Sequence, residues 1–395
     1  MTDKENSRSG QMQRIAEGYV GAKLFAGIEW QVDVGGSTLS EGRVGSADGD
    51  ALPIPDQAIY RIFSMTKPIV SVLALQLVEQ GRLRLYDMVA QYDERFAQMT
   101  VLGADGSISP AQRPITVENL LTHRAGFTYE FLHGCHIAQY YRDHEINANG
   151  GRSLDEMMGV LSQLPLAFQP GTEFRYSVSI DVLAHVIERA TGERLDQLLQ
   201  TYLFGPLGME DTGFTVSADK LSRLMPMFGA DILDGSPPLE MRPQVLTPLN
   251  LESMYPVEAQ TFLRGGLGLY STTNDYMAFA RMLLTGTAPD GSVLISRKML
   301  EALRANRIPE QQLPLKIGPN VLAGYGWGLI GRVHLGPGQG MSLSSGGEFG
   351  WAGAATTYFW VDPTEDMIGV VMTQYLGSAL PLSDDMRTAA YQALP

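Results

Sequence analysis

Apolar residues cluster in three stretches separated by polar, glycine- and proline-rich chain. Residues 20–34 are rich in Val, Leu, Phe, Ile and Trp and run into Gly35-Gly36, after which a short apolar segment carries Val44. Two such runs joined by a tight glycine turn predict a β-hairpin. From Ser64 the pattern changes. Ile69, Val70, Val72, Leu73, Ala74, Leu75, Leu77 and Val78 leave almost no polar face, and Gly81 follows as a C-terminal stop. A helix that is apolar all round is a buried helix, so its first turn would sit on a rigid central element.

The middle of the chain reads as mostly helical. Thr116 opens a segment carrying Leu120 and Leu121. Val182, Leu183, Val186, Ile187 and Ala190 are spaced for one helix face with Gly192 after them, and Thr272 or Thr273 caps a run with Met277, Ala280, Met282 and Leu284. Residues 231–248 read as a long surface loop or a cover over a site. Strand patterns return at Ala355–Val361 and Met367–Met372, joined by the turn-forming Asp362-Pro363-Thr364-Glu365-Asp366, and a helix from about Asp384 closes the chain. Strands at both ends around a helical middle predict an α+β fold. Residues 13–90 and 290–395 would form a discontinuous domain, an antiparallel sheet flanked by helices. Residues 91–289 would be an inserted, mostly helical domain with loops over the cleft, and residues 1–12 a flexible tail.

Composition narrows the function. The chain has 395 residues, 18% of them charged, and a net charge of −14. That balance disfavours nucleic acid and anionic membrane surfaces as partners, because both want clustered Lys and Arg. No uncharged apolar run is long enough to span a membrane. The polar first ten residues resemble no export signal, which points to the cytoplasm. The single Cys135 excludes an intramolecular disulfide framework and a multi-cysteine metal site. Nothing calls for a cofactor or a metal, and oligomeric state is left open.

Three segments can carry chemistry. In Phe63-Ser64-Met65-Thr66-Lys67, Ser64 and Lys67 are one helical turn apart on one face. A serine needs a neighbouring base, and a lysine serves as one if burial lowers its pKa. An exposed lysine after a serine cap is the plain alternative, but an idle charge at the head of an apolar helix is disfavoured. In Glu173-Phe174-Arg175-Tyr176-Ser177-Val178, a tyrosine just ahead of a helix can project into a cleft, where a nearby ammonium would ease loss of its proton. The plain alternative is a packing tyrosine. In Gly346-Gly347-Glu348-Phe349-Gly350-Trp351-Ala352-Gly353-Ala354, small residues let substrate lie against a strand edge and backbone N–H groups hold an oxyanion. The plain alternative is a glycine-rich turn.

Taken in order, Ser64-Met-Thr-Lys67, Tyr176-Ser-Val178 and Trp351-Ala-Gly353 resemble the serine β-lactamase and penicillin-binding-protein superfamily on its class C side, and within it most nearly the family VIII carboxylesterases. Ile115–Gly126, Pro206–Met209, Gly265–Ser271 and Trp360–Pro363 are similar to the same family. The resemblance implies a β-lactamase-like fold and Ser64 as nucleophile, with Lys67 and Tyr176 as shared base and acid. It also implies an oxyanion hole from the backbone N–H groups of Ser64 and Ala354. Trp351, Gly353, Val178 and Tyr129 would line the substrate site. Two departures favour an ester over a β-lactam. Val178 stands where penicillin-recognising members carry an asparagine. Trp351 stands where they carry a Lys or His that helps to hold the β-lactam carboxylate. A lost charge-assisted hydrogen bond costs an anionic substrate about 1.5–3 kcal/mol, and a neutral ester nothing.

The expected activity is therefore hydrolysis of short-chain acyl esters through an acyl-serine, with a small-molecule ester as partner. The alternatives are a β-lactamase, a D-alanyl carboxypeptidase or D-aminopeptidase, an acyltransferase using the same acyl-serine, and a silent binding relative. The absence of Gly-x-Ser-x-Gly disfavours an α/β-hydrolase. His133, Cys135 and His136 lack the spacing of a zinc site and read as a loop near the cleft entrance. His123 and His185 read as structural, and Tyr129, Phe131, Tyr140 and Tyr141 as core or cleft lining.

Overall fold

The computed structural model describes residues 10–132, 135–230, 245–340 and 342–394. His133 and most of the expected 231–248 loop lie outside these residues. Helix α1 (Gln11–Gly21) comes first and shortens the expected tail, because Gln11 and Met12 are already helical. Its buried stripe is only Met12 and Ala16, one turn apart, too sparse to register as a periodic pattern. Strands β1 (Gly27–Val34) and β2 (Ser37–Gly45) form the expected hairpin. Gly35 and Gly36 turn it with φ of 58° and 75°, the left-handed pair that a two-residue hairpin turn requires.

The chain then leaves the sheet. Helix α2 (Thr66–Glu79) is buried along nearly its whole length, as its sequence demands, and stops before Gly81, whose φ is 72°. Two further helices of the middle region matter for the site. Helix α3 (Ser179–Thr191) ends at left-handed Gly192, and helix α4 (Thr273–Thr285) is capped by the Thr272 side chain, which accepts from the Asp275 N–H at 3.1 Å. The chain returns through β3 (Tyr325–Trp327), β4 (Arg332–His334), β5 (Phe349–Gly353), β6 (Thr357–Asp362) and β7 (Met367–Met372), then ends in α5 (Leu382–Gln392).

One antiparallel seven-stranded sheet results, in the order β3-β4-β5-β6-β7-β1-β2. Alternation along the strands sends Trp30, Tyr358 and Trp360 to the face covered by α1 and α5. Phe349, Trp351, Phe359 and Val361 go to the opposite face, into the main core that contains α2 and α3. The protein is thus α+β, one antiparallel sheet with helices packed on both faces. No helix among the described residues is long and apolar enough to cross a membrane.

Candidate active site

Ser64 sits in a single tight turn, Phe63–Met65, immediately ahead of α2. Phe63 has φ of 43°, a left-handed conformation that a bulky residue adopts only when its surroundings impose it. They do so here. The Phe63 ring is buried edge-on against Tyr255 with centroids 5.0 Å apart, and the preceding Ile62 N–H is held by the Leu269 carbonyl at 3.1 Å. This turn leaves Ser64 as its partly exposed residue while Phe63 and Met65 are buried.

Lys67, 1% exposed, comes one turn later. Its Nζ lies 3.1 Å from Ser64 Oγ and donates to the Gly266 carbonyl at 2.6 Å. The rings of Tyr176 and Tyr129 flank it, with centroids 4.7 and 5.1 Å from the nitrogen. Burial pushes the Lys67 ammonium down to about 7, against a smaller upward pull from Asp181. A lysine poised there is half neutral near pH 7 and able to take a proton.

Tyr176 is also buried, and its hydroxyl accepts the Trp351 Nε1–H at 2.9 Å. Burial pushes the phenol well above its ordinary range, and the hydrogen bonds to Ser64 and Trp351 offset only part of that. The expectation that the nearby lysine eases loss of the tyrosine proton is therefore reversed. Desolvation dominates, Asp181 adds to it, and Tyr176 stays a neutral phenol at physiological pH.

The third segment is a strand with a free edge. β4 pairs with β5 only at Arg332–Gly350 and Val333–Phe349, so Trp351, Ala352 and Gly353 have no β4 partner. A Cβ on Gly353 would strike the Ile62 carbonyl and the Thr357 hydroxyl. Glycine there lets the strand end close against the Ser64 turn, and the backbone of Ala354 follows directly. Trp351 packs edge-on against Trp327, centroids 4.5 Å apart. Trp327 in turn donates Nε1–H to the Leu121 carbonyl at 3.1 Å. Trp351→Phe keeps the ring but removes its N–H; the expected result is a fall in kcat of about tenfold with little change in KM, the equivalent of one hydrogen bond.

Tyr129, 2% exposed, stacks on Phe131 with centroids 4.8 Å apart and forms one wall beside Lys67. Val178 differs from its expected place. It is fully buried at the head of α3, where its carbonyl accepts the Asp181 and Val182 N–H groups, so it serves the core and presents no surface to substrate. Tyr141 is buried and Tyr140 exposed. Cys135 is free and buried, and His136 bonds the Leu102 carbonyl at 2.8 Å. Among the described residues, the one group with metal-like donors is Asp93, Asp155 and His185, whose carboxylates are already taken by Arg95 and Arg189.

Sequence reasoning passed over Asp181 and Gly266. Asp181 Oδ1 accepts the Gly266 N–H at 3.0 Å, and the Gly266 carbonyl accepts from Lys67. A Cβ on Gly266 would strike Asp181 Oδ2, so only glycine fits between α3 and the lysine. The available signal was an aspartate inside an otherwise apolar helix stripe. His123 is closer to the chemistry than expected. Its ring centroid is 4.8 Å from that of Tyr176, and burial holds it neutral, well below its ordinary pKa.

The Beta-lactamase family model matches residues 12–393, nearly the whole chain. The chain belongs to the Beta-lactamase family. Relatives within reach of sequence comparison include Protein Rv1367c of Mycobacterium tuberculosis, 32% identical over 90% of this chain and 87% of that protein. Esterase EstB of Burkholderia gladioli is 29% identical over 90% of this chain and 88% of its own. Among solved structures, EstCE1, described as a hydrolase with promiscuous acyltransferase activity, superposes with a TM-score of 0.81 at 22% identity, covering 99% of this chain and 100% of that one. In this family member the serine, lysine and tyrosine converge at one end of α2 beside the free edge of β5.

Proposed function

We propose that the protein is a serine carboxylesterase that hydrolyses short, neutral acyl esters through an acyl-enzyme on Ser64. The observation that carries this reading is the buried Lys67 amine, near pKa 7 and 3.1 Å from Ser64 Oγ. The esterase name of EstB, a relative that this chain matches over most of its length, supports it.

In this mechanism Lys67, as the neutral amine, takes the Ser64 proton while Oγ attacks the ester carbonyl. The developing oxyanion is held by the backbone N–H groups of Ser64 and Ala354. Tyr176, kept protonated by burial, gives its proton to the departing alkoxide and recovers one from the Lys67 ammonium. Water then attacks the acyl-Ser64 ester with the same groups in reverse, returning the carboxylic acid and the free serine. Tyr129 and Trp351 wall the site. Trp351 offers no cation to a substrate carboxylate, so a neutral ester is preferred over a β-lactam.

An acyltransferase differs only in the acceptor, an alcohol or amine in place of water, and the description of EstCE1 favours keeping that as the second reading. The test is a pair of initial rates on the same protein, with p-nitrophenyl butyrate and with a chromogenic cephalosporin. The reading expects fast ester cleavage and little cephalosporin turnover. The opposite preference would move the protein to the β-lactam branch. Adding a primary alcohol at fixed ester concentration separates the two acyl acceptors: a new ester among the products favours transfer, free acid alone favours hydrolysis.

A further inference from the structure

On the sheet face covered by α5, behind the strand that carries Trp351, lies a cleft of about 590 Å³. It sits between β4–β6, the head of α5 and the chain around Val321–Ala323. Its floor holds two arginines, Arg332 of β4 and Arg387 of α5, each only 5% exposed. Both guanidiniums stack on the same two tyrosines. Arg332 lies 4.2 Å from the Tyr325 ring centre and 5.2 Å from that of Tyr358, and Arg387 lies 5.9 and 5.6 Å from them.

Their N–H donors are incompletely met. The two share one fully buried carboxylate, Glu348, at 3.2 and 3.5 Å. Arg387 also donates to Tyr358 Oη at 2.9 Å and to Asp384, a largely exposed residue at the mouth, at 2.8 Å. Arg332 has no such extra acceptors. Among the described residues its one hydrogen bond goes to Glu348, although a guanidinium carries five N–H donors. The Tyr325 hydroxyl, on a residue 8% exposed, is likewise buried without a partner. Two buried cations face one buried anion, Glu348, with the exposed Asp384 as a second counter-charge at the mouth, and donors of Arg332 and Tyr325 stay unspent beside the cleft. One side of the rim is apolar, formed by Val321, 52% exposed, with Leu322 and Ala323, and the other carries Ser383, Asp384 and Thr388.

We propose that this cleft is a binding site for a monocarboxylate with an apolar tail. The carboxylate takes the free N–H groups of Arg332 and the Tyr325 hydroxyl, the planar fork that Arg offers to a carboxylate. The tail lies along Val321 and Leu322. A monoanion adds one negative charge beside Glu348 and Asp384, whereas a dianion such as a phosphate monoester would add two at the same cost in burial. The Trp351 indole lies on the opposite face of β5, so an occupant sits behind the catalytic cluster without entering it.

The probe is sodium hexanoate, titrated calorimetrically into the wild-type chain and three variants, with hexan-1-ol as the uncharged control. Arg332→Met would remove one of the two cations that hold buried Glu348 and risks unfolding the protein, so Tyr325→Phe and Val321→Glu carry the test. Tyr325→Phe deletes one donor, and Val321→Glu puts a like charge on an exposed rim. Lys67→Met removes the cation of the catalytic cleft. The proposal expects hexanoate to bind wild type and Lys67→Met alike, with affinity down about tenfold or more in Tyr325→Phe and Val321→Glu and for hexan-1-ol. No binding to the wild type overturns it. So does binding that survives both rim variants, or that disappears in Lys67→Met, because the carboxylate would then sit elsewhere. The readout is binding alone, so its failure is distinct from failure of the esterase reading.

Discussion

Ser64→Ala should reduce hydrolysis of p-nitrophenyl butyrate to the solution background, a loss of roughly 10⁶-fold in kcat by analogy with other serine hydrolases. The expectation follows from the division of labour in the site. Lys67 and Tyr176 are placed to move protons, and the β5 edge is placed to receive substrate. Ser64 presents a partly exposed hydroxyl beside both. The substitution should leave the fold untouched. Ser64 is the partly exposed member of its turn, and Lys67 keeps its bond to the Gly266 carbonyl when Oγ is gone. A melting temperature equal to that of wild type, measured on the same preparation, separates lost chemistry from lost structure.

Lys67→Met is expected to lower kcat/KM by about 10³–10⁴-fold, the upper range for a general base that also positions its nucleophile. The pH dependence identifies the cause. With the lysine pushed down to about 7, the neutral amine is the minor form below that pH and the major form above it. Wild-type kcat/KM should therefore fall about tenfold for each pH unit below 7 and level off above it. In Lys67→Met that acid limb should vanish, leaving a flat, low profile. Methionine fills the lysine's volume without a charge to bury, so the variant should melt no lower than wild type at pH 7. The double variant with Ser64→Ala should be no worse than Ser64→Ala alone, because the two residues act as a unit.

Much of the site was legible because it rests on short spacings. Ser64 and Lys67 are one turn apart, and an all-apolar helix beginning at Lys67 can only be buried, which places the lysine in a low dielectric. The hairpin at Gly35-Gly36, the caps at Thr116 and Thr272 and the β6–β7 pair were legible for the same reason, since turn and cap chemistry is local. What stayed hidden depends on chain segments that meet only in the fold. Gly266 holds Lys67 from 199 residues away, and Asp181 reaches Gly266 across from α3. The sign of the Tyr176 shift required knowing that its hydroxyl is desolvated in the fold. Val178 fell next to the tyrosine in sequence, but the start of α3 turns it into the core. Helix α1 was missed because only Met12 and Ala16 are buried, while Ile15, Tyr19 and Val20 pack partly exposed against the same cluster.

The most direct test of the central claim is to react the wild-type protein with a fluorophosphonate at pH 8 and map the adduct by peptide mass spectrometry. The account predicts one phosphonyl group per chain, on the peptide containing Ser64, and none on Ser64→Ala. An adduct on any other residue, or a folded wild-type protein that takes up none, would contradict it.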